Sequence, residues 1–480
     1  MTQHFSRRGL LTAGGALAAA ATGGLLTGCG DPSEAGGRQT KAKSGKIVWW
    51  DQYLPKEELE REFFAKFHQA GGPEVDYTVY NPNEQGKALQ LAKQSDQLPD
   101  VFTLAGLDTA AVSLQEGGWF QPLGNADEIT ANLPEGTLIE GMHLFDGELY
   151  SFPLGTPRNY PTLPWGNKEF LKQADIEVTE GPQSWDDFRT KVRTSASAVD
   201  KPGLILPLAF APRMASFVHD LAQQAGFDGD GGIEYSTGAY NYHHQAYLDA
   251  IDFLLSFQRD KLLLPASTGL DAREGRARWV AEDAVWFMDG SFNAGVVKSD
   301  FDSFMDKLAV TQLPTPDGAE PVVTHGLEGG SLWISASSPY GKECSELLLT
   351  FTTEEFQIGQ AEAMDAGPIN LDVVPDSDAH QTFKTCCSWF EKNGRIAPSP
   401  IARNPEIAKV VAKTQEVRPD LGTIIQGVFS GDVDDLPAAL KKLSDDSEQA
   451  RELAIQKAGA KVDGSAWAFR DWVRGEDYPV

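Results

Sequence analysis

Three strand–helix pairs in succession over residues 46–118 constrain this chain more than any other feature. Residues 46–52, KIVWWDQ, read as a strand whose apolar residues give way to polar ones at its end. Pro55 opens a helix with Glu57 and Glu58 in its first turn, where carboxylates suit the helix dipole. Leu59, Phe63 and Phe67 share one face of it, and Gly71-Gly72 stops it. Residues 75–80, VDYTVY, alternate as a second strand, and 87–95 is helical with Ala88, Leu91 and Ala92 facing in. Residues 100–104, DVFTL, form a short buried strand, after which Asp108 heads a helix that ends at Gly117-Gly118. This alternation requires a parallel sheet with right-handed crossovers, so the fold class is α/β.

A second set of elements follows. Residues 148–154 are extended, 162–171 lead into a helix, and Ser184 caps a helix within 182–192. Residues 204–210 are strand-like, 216–225 and 247–259 helical, and 284–288, 308–313 and 331–335 strands. Residues 343–352 are helical, and the chain from Ala379 is mostly helical. A chain of 480 residues exceeds one simple core, so two lobes are expected.

The amino terminus is a separate matter. Arg7-Arg8 precede a short run of small and apolar residues that is too weakly apolar for a bilayer helix and reads as an export signal. Leu26-Thr27-Gly28-Cys29 resembles the lipobox of bacterial lipoproteins, which implies cleavage before Cys29 and a lipid on its thiol. The paired arginines resemble the twin-arginine motif. Leu10 and Thr12 replace that motif's usual Phe and Lys, so the export route stays open between folded and unfolded. Residues 1–28 are thus the signal peptide and 29–45 a small, polar, Gly-rich tether.

Net charge is −28, and removing residues 1–28 takes away two arginines and no acid. Such a surface excludes nucleic acid and adhesion to anionic lipid through a basic patch. With Cys29 assigned to lipid, Cys344, Cys386 and Cys387 either form one disulfide, from Cys344 to one of the adjacent pair, or stay as buried thiols. No cofactor or metal is expected. His243-His244 read as a surface pair, and 228–232 is a turn lacking the acid of a calcium loop.

The order of the signals resembles a family 1 extracellular solute-binding protein, the sugar-binding lipoprotein of an ABC importer, over most of residues 46–460. The resemblance rests on Val48-Trp49-Trp50-Asp51, Leu98-Pro99-Asp100-Val101, Leu149-Tyr150-Ser151-Phe152-Pro153 and Trp165-Gly166-Asn167-Lys168-Glu169-Phe170-Leu171. It rests also on Ser184-Trp185-Asp186-Asp187-Phe188, 313–318, 329–334 and Gly367-Pro368-Ile369. It implies a two-lobed, type II periplasmic-binding-protein-like fold with three interlobe crossings, near Gly155, Pro321 and Gly367. The N-lobe would comprise 46–155 and 322–367, and the C-lobe 156–321 and 368–480. Ligand would bind between the lobes and be buried by hinge closure.

A sugar presents apolar faces and a hydroxyl rim, so its site stacks aromatics and aims Asp, Glu, Asn, Gln and Arg at the rim. Trp49 and Trp50 point to opposite faces of their strand; Trp50, with Asp51 and Gln52, is expected at the cleft. Asp108 is either a ligand contact or a plain helix cap. Arg158 and Tyr160 follow the first crossing, as cleft or as hinge structure. Trp165 either stacks or packs. Arg213 and Phe217 follow a strand end, and Phe292 takes a position where the family often places a stacking Trp. Glu328 and Gly330 lie on a glycine loop that lets backbone N–H groups approach a hydroxyl. Trp333 faces the cleft or covers a lobe.

Signatures of hydrolases, metalloproteases and Walker-type ATPases are missing from the sequence. The reading is a monomeric, non-enzymatic binder of a sugar or oligosaccharide, partnered by membrane permease subunits and by the membrane through its anchor. A glycoside hydrolase, or the same fold with a non-sugar solute such as a polyamine, is the alternative.

Overall fold

In the computed structural model, which describes residues 43–107, 109–134, 136–178, 181–325 and 331–479, the first three expected strands lie side by side and parallel. Lys46–Asp51 is flanked by Glu74–Val79 and Val101–Phe102. Ser331–Ile334 returns from far along the chain and adds antiparallel to Val101–Phe102, and Ser151–Pro153 completes the five-stranded sheet. Signal peptide, Cys29, most of the tether, Asp108, Glu328 and Gly330 lie outside the described residues.

The two-residue period of these strands sorts their side chains into two cores. Ile47, Trp49, Val101, Leu332 and Ile334 join one cluster with Phe63 and Phe64 of the helix Glu57–Gln69. Phe102 and Trp333 join the other, on the opposite face. Each fully buried Phe or Leu of such clusters contributes about 1.5–3 kcal/mol through area removed from water.

The second lobe is built on a four-stranded mixed sheet, ordered Leu308–Val310, Leu163–Asn167, Trp286–Asp289, Leu204–Ile205. Leu163–Asn167 is antiparallel to both its neighbours, and Leu204–Ile205 is parallel to Trp286–Asp289. Of the apolar run 204–210, only the first two residues pair as strand. Ser184 caps the helix Trp185–Val199 in a reciprocal box with Asp187, at 3.0 and 3.2 Å.

Cys344 is buried in the first lobe's core and Cys386 and Cys387 in the second's, and all three thiols are free. The disulfide alternative is thereby corrected: the two sites belong to different cores. Among the described residues no helix is long and apolar enough to cross a membrane. Neither do any three His, Cys, Asp or Glu residues converge on a possible metal site among them.

The carboxy-terminal helices reach both lobes. Ile407 and Val410 pack with Ala454 and Trp467, whereas Ile401, Ala408 and Val411 pack onto the first lobe's Trp333 cluster. Lys413 pairs with Glu116 at 2.8 Å.

Candidate functional site

A cavity of about 440 Å³ lies between the lobes, at the carboxyl ends of the three parallel strands. Each strand contributes the residues just beyond its end: Gln52–Lys56, Asn81–Asn83 and Ala105–Gly106. Asn81 caps the helix Pro82–Gln94, its side chain accepting from the Asn83 N–H at 3.2 Å, with proline at the first position. That helix sits tight against the next loop. A Cβ on Gly86 would lie 1.9 Å from the Gly106 carbonyl oxygen, and Gly106 has φ +71°, so both positions require glycine.

The second lobe supplies Phe210, Arg213, Arg273, Arg276 and Phe292, and His325, on a strand paired with Gly394–Ile396, lines the cavity as well. Asp289, at the end of its strand and fully buried, receives Arg213 at 2.9 Å and also Arg276. Arg276 Nε donates to Asn293 Oδ1 at 2.7 Å. The Arg213 guanidinium lies 4.6 Å from the centre of the Phe292 ring. These contacts hold an aromatic face and two guanidinium groups at one wall. His325 Nε2 lies 2.9 Å from the buried carboxylate of Asp220, which also accepts from Thr162.

Lys56 is fully buried at the opposite wall, with its ammonium 3.5 Å from the centre of the Tyr53 ring and 3.8 Å from Asp365. Behind it, Tyr77 Oη lies 3.0 Å from Asp51 and 2.5 Å from Glu60. Burial, then the Asp51 charge, pushes the Glu60 carboxyl well above the ordinary range. Burial also raises Asp51 and Asp365. His143, another lining residue, is held down at about 4 by burial, so it is neutral at physiological pH. Its Nδ1 accepts from the Ile139 N–H at 3.2 Å.

Of the residues expected at the site, Gln52, Arg213 and Phe292 line this cavity. Trp50 is half-buried against Tyr80, ring centres 5.0 Å apart, and is not in the lining. Asp51 is fully buried, accepting from Trp49 Nε1 and the Tyr53 N–H, both at 2.9 Å. Tyr160 packs edge-on against Phe390, and Phe217 lies within the second core. Trp165 donates to the carbonyls of Asp289 and Gly290, at 3.2 and 3.1 Å, under the turn that carries Phe292. Trp333 stacks on Phe120 at 4.2 Å. Those four side chains are buried, so of the alternatives left open for Tyr160, Trp165 and Trp333 the structure shows packing, and Phe217 packs as well. Arg158 pairs with Asp477 and donates to the Gly394 carbonyl, tying the first crossing to the carboxy-terminal tail.

The aromatic faces in the described lining are Tyr53, Phe210 and Phe292, with no tryptophan. Lys56, Asn83, Arg273 and Arg276 were missed by sequence reasoning. Asn81-Pro82 directly after a strand is a cap signal at a strand's carboxyl end, and Arg273 and Arg276 sit three apart on one helix; both were available signals.

Solved structures share this architecture. An ABC transporter solute-binding protein from Thermotoga lettingae TMO, bound with alpha-D-tagatose, aligns over 86% of this chain and 100% of its own, at 16% identity and TM-score 0.64. Maltose-bound T. maritima MalE3 aligns over 84% and 99%, at 17% identity and TM-score 0.65. The GacH receptor of Streptomyces glaucescens, solved unliganded and with acarbose, aligns over 86% and 99%, at 16% identity and TM-score 0.61. At such identities the likeness shows the two-lobed fold. No sequence among curated proteins matches. The model of the bacterial extracellular solute-binding protein family matches residues 62–385, more than half of the chain. With the match running through both sheets and across the cavity between them, the chain belongs to the bacterial extracellular solute-binding protein family.

Proposed function

We propose that this protein is the extracellular, lipid-anchored binding component of an ABC import system, and that it takes up a sugar or oligosaccharide in the interlobe cavity for delivery to a membrane permease. The observation that carries the reading is the cavity itself. It joins the aromatic faces of Tyr53, Phe210 and Phe292 to convergent polar groups on both lobes, which suits a ring with apolar faces and a polar rim. Tagatose, maltose and acarbose in the solved structures of similar fold support the ligand class. Anchoring through Cys29 rests on the lipobox-like Leu26-Thr27-Gly28-Cys29.

The protein acts by binding alone in this reading. Hydrolysis of a glycoside needs a pair of carboxyl groups at the bond, and Asp365 is the one carboxylate in the described lining. A polyamine is disfavoured by Lys56, Arg213, Arg273 and Arg276 around the same space. Differential scanning fluorimetry against a panel of mono- and oligosaccharides tests the ligand class. A sugar at 100 times its Kd adds about 2.7 kcal/mol to stability. Stabilisation by no sugar, with a response to another solute, removes the carbohydrate reading. Cys29→Ser should move the protein from the membrane fraction to the medium.

A further inference from the structure

The chain is strongly acidic, yet among the described residues one lysine, three arginines and a single carboxyl group line its cavity. Arg213 and Arg276 are held by Asp289. Arg273 has no such partner: among the described residues its only bond is from Nη2 to the Tyr80 carbonyl, at 3.1 Å, and no carboxylate lies within ion-pair distance. Asp271, Asp300 and Glu84 act on it only at longer range. Across the cavity, the fully buried Lys56 ammonium has no hydrogen-bond acceptor and sits 3.8 Å from Asp365. A guanidinium with open donors and a buried ammonium with open donors are matched by an acceptor that brings negative charge.

Building on the carbohydrate reading, we infer that the solute is an acidic sugar, one bearing a carboxylate, with Arg273 as the carboxylate's anchor and Lys56 as a second donor. A carboxylate fits better than a phosphate monoester. Its two oxygens in a plane match the guanidinium fork, and its single charge matches one unpaired arginine. The ammonium beside Asp365 is already partly compensated. The cationic lining also draws an anion in against the acidic surface, making binding salt-sensitive.

Isothermal titration calorimetry on the full-length protein tests this with matched probes: galacturonic and glucuronic mono-, di- and trisaccharides, their neutral galactose and glucose counterparts, and glucose 6-phosphate. The expected result is a uronate bound about tenfold or more tighter than its neutral counterpart. Arg273→Gln should lower uronate affinity by about tenfold and neutral-sugar affinity by less. Arg273→Lys, which keeps the charge and loses the fork, should retain part of the preference. Equal or tighter binding of the neutral sugars overturns the inference and leaves the carbohydrate reading standing. Tighter binding of glucose 6-phosphate overturns the carboxylate assignment. Binding of no sugar, acidic or neutral, overturns both readings. An equal loss of uronate and neutral affinity in Arg273→Gln reduces Arg273 to a latch on Tyr80 and overturns its role as anchor.

Discussion

Asn83 Nδ2 on the first lobe donates to Asp271 Oδ2 on the second, at 2.9 Å. The bond stands beside the Arg273–Tyr80 hydrogen bond, so two polar contacts close the lobes on the same side of the cavity. Asp271 is free to hold this position because its other oxygen caps its helix, accepting from the Glu274 N–H at 2.8 Å.

Asn83→Ala should therefore open the unliganded protein without harming the fold. A half-exposed bond to a charged acceptor is worth about 1 kcal/mol, which corresponds to about fivefold faster solute release. Stopped-flow release rates and the radius of gyration from small-angle scattering check this. Unchanged release would show that the lobes are closed by other contacts.

Asp289→Ala should cost about 3–5 kcal/mol, since it leaves the buried Arg276 beside Arg213 with no carboxylate between them. Urea denaturation reads the loss. A change below about 1 kcal/mol would mean that the guanidinium groups find other acceptors at little cost.

Glu60 gives a pH dependence with a definite sign. The unfolded carboxyl loses its proton near 4.5, and the native one keeps it to higher pH. Over that interval the native state holds more protons than the unfolded state, so this group lowers stability as pH rises. Glu60→Gln removes the effect and can still bond Tyr77. The melting temperature of the variant relative to the parent should therefore climb between about pH 4 and about pH 7. A constant difference would show that Glu60 ionises normally in the fold.

The three buried thiols should be silent in the native protein. Burial raises the pKa of each, Cys344 and Cys386 strongly, so little thiolate forms. Ellman's reagent should react with Cys344, Cys386 and Cys387 only after unfolding, and reducing agent should leave the melting temperature unchanged. Fast native labelling of any of the three would contradict its placement in a core.

Periodicity carried most of the first sheet. Trp49 and Trp50 differ by one position, and that alone sends Trp49 into the core and Trp50 to the other face. Caps were equally legible, as Ser184 with Asp187 shows. The site was harder to read because a tryptophan near a strand end looks alike whether it packs or stacks. Trp165 and Trp333 are decided by partners far away in sequence, the Asp289–Gly290 turn and Phe120. The cationic lining was harder still: the spacing of Arg273 and Arg276 marks one helix face, but only the fold brings that face and Lys56 to one space. The free thiols follow from which core each strand and helix joins, which spacing does not encode.

Helices Pro400–Arg403 and Glu406–Val411 give the molecule a clasp opposite in kind to the polar contacts at the cavity. Ile401, Ala408 and Val411 form a greasy seam against the first lobe, while Ile407 and Val410 root the same segment in the carboxy-terminal helices. A wide swing of the jaws would strip this seam into water. A motion that slides along the seam would expose less apolar area and so cost less than one that parts it.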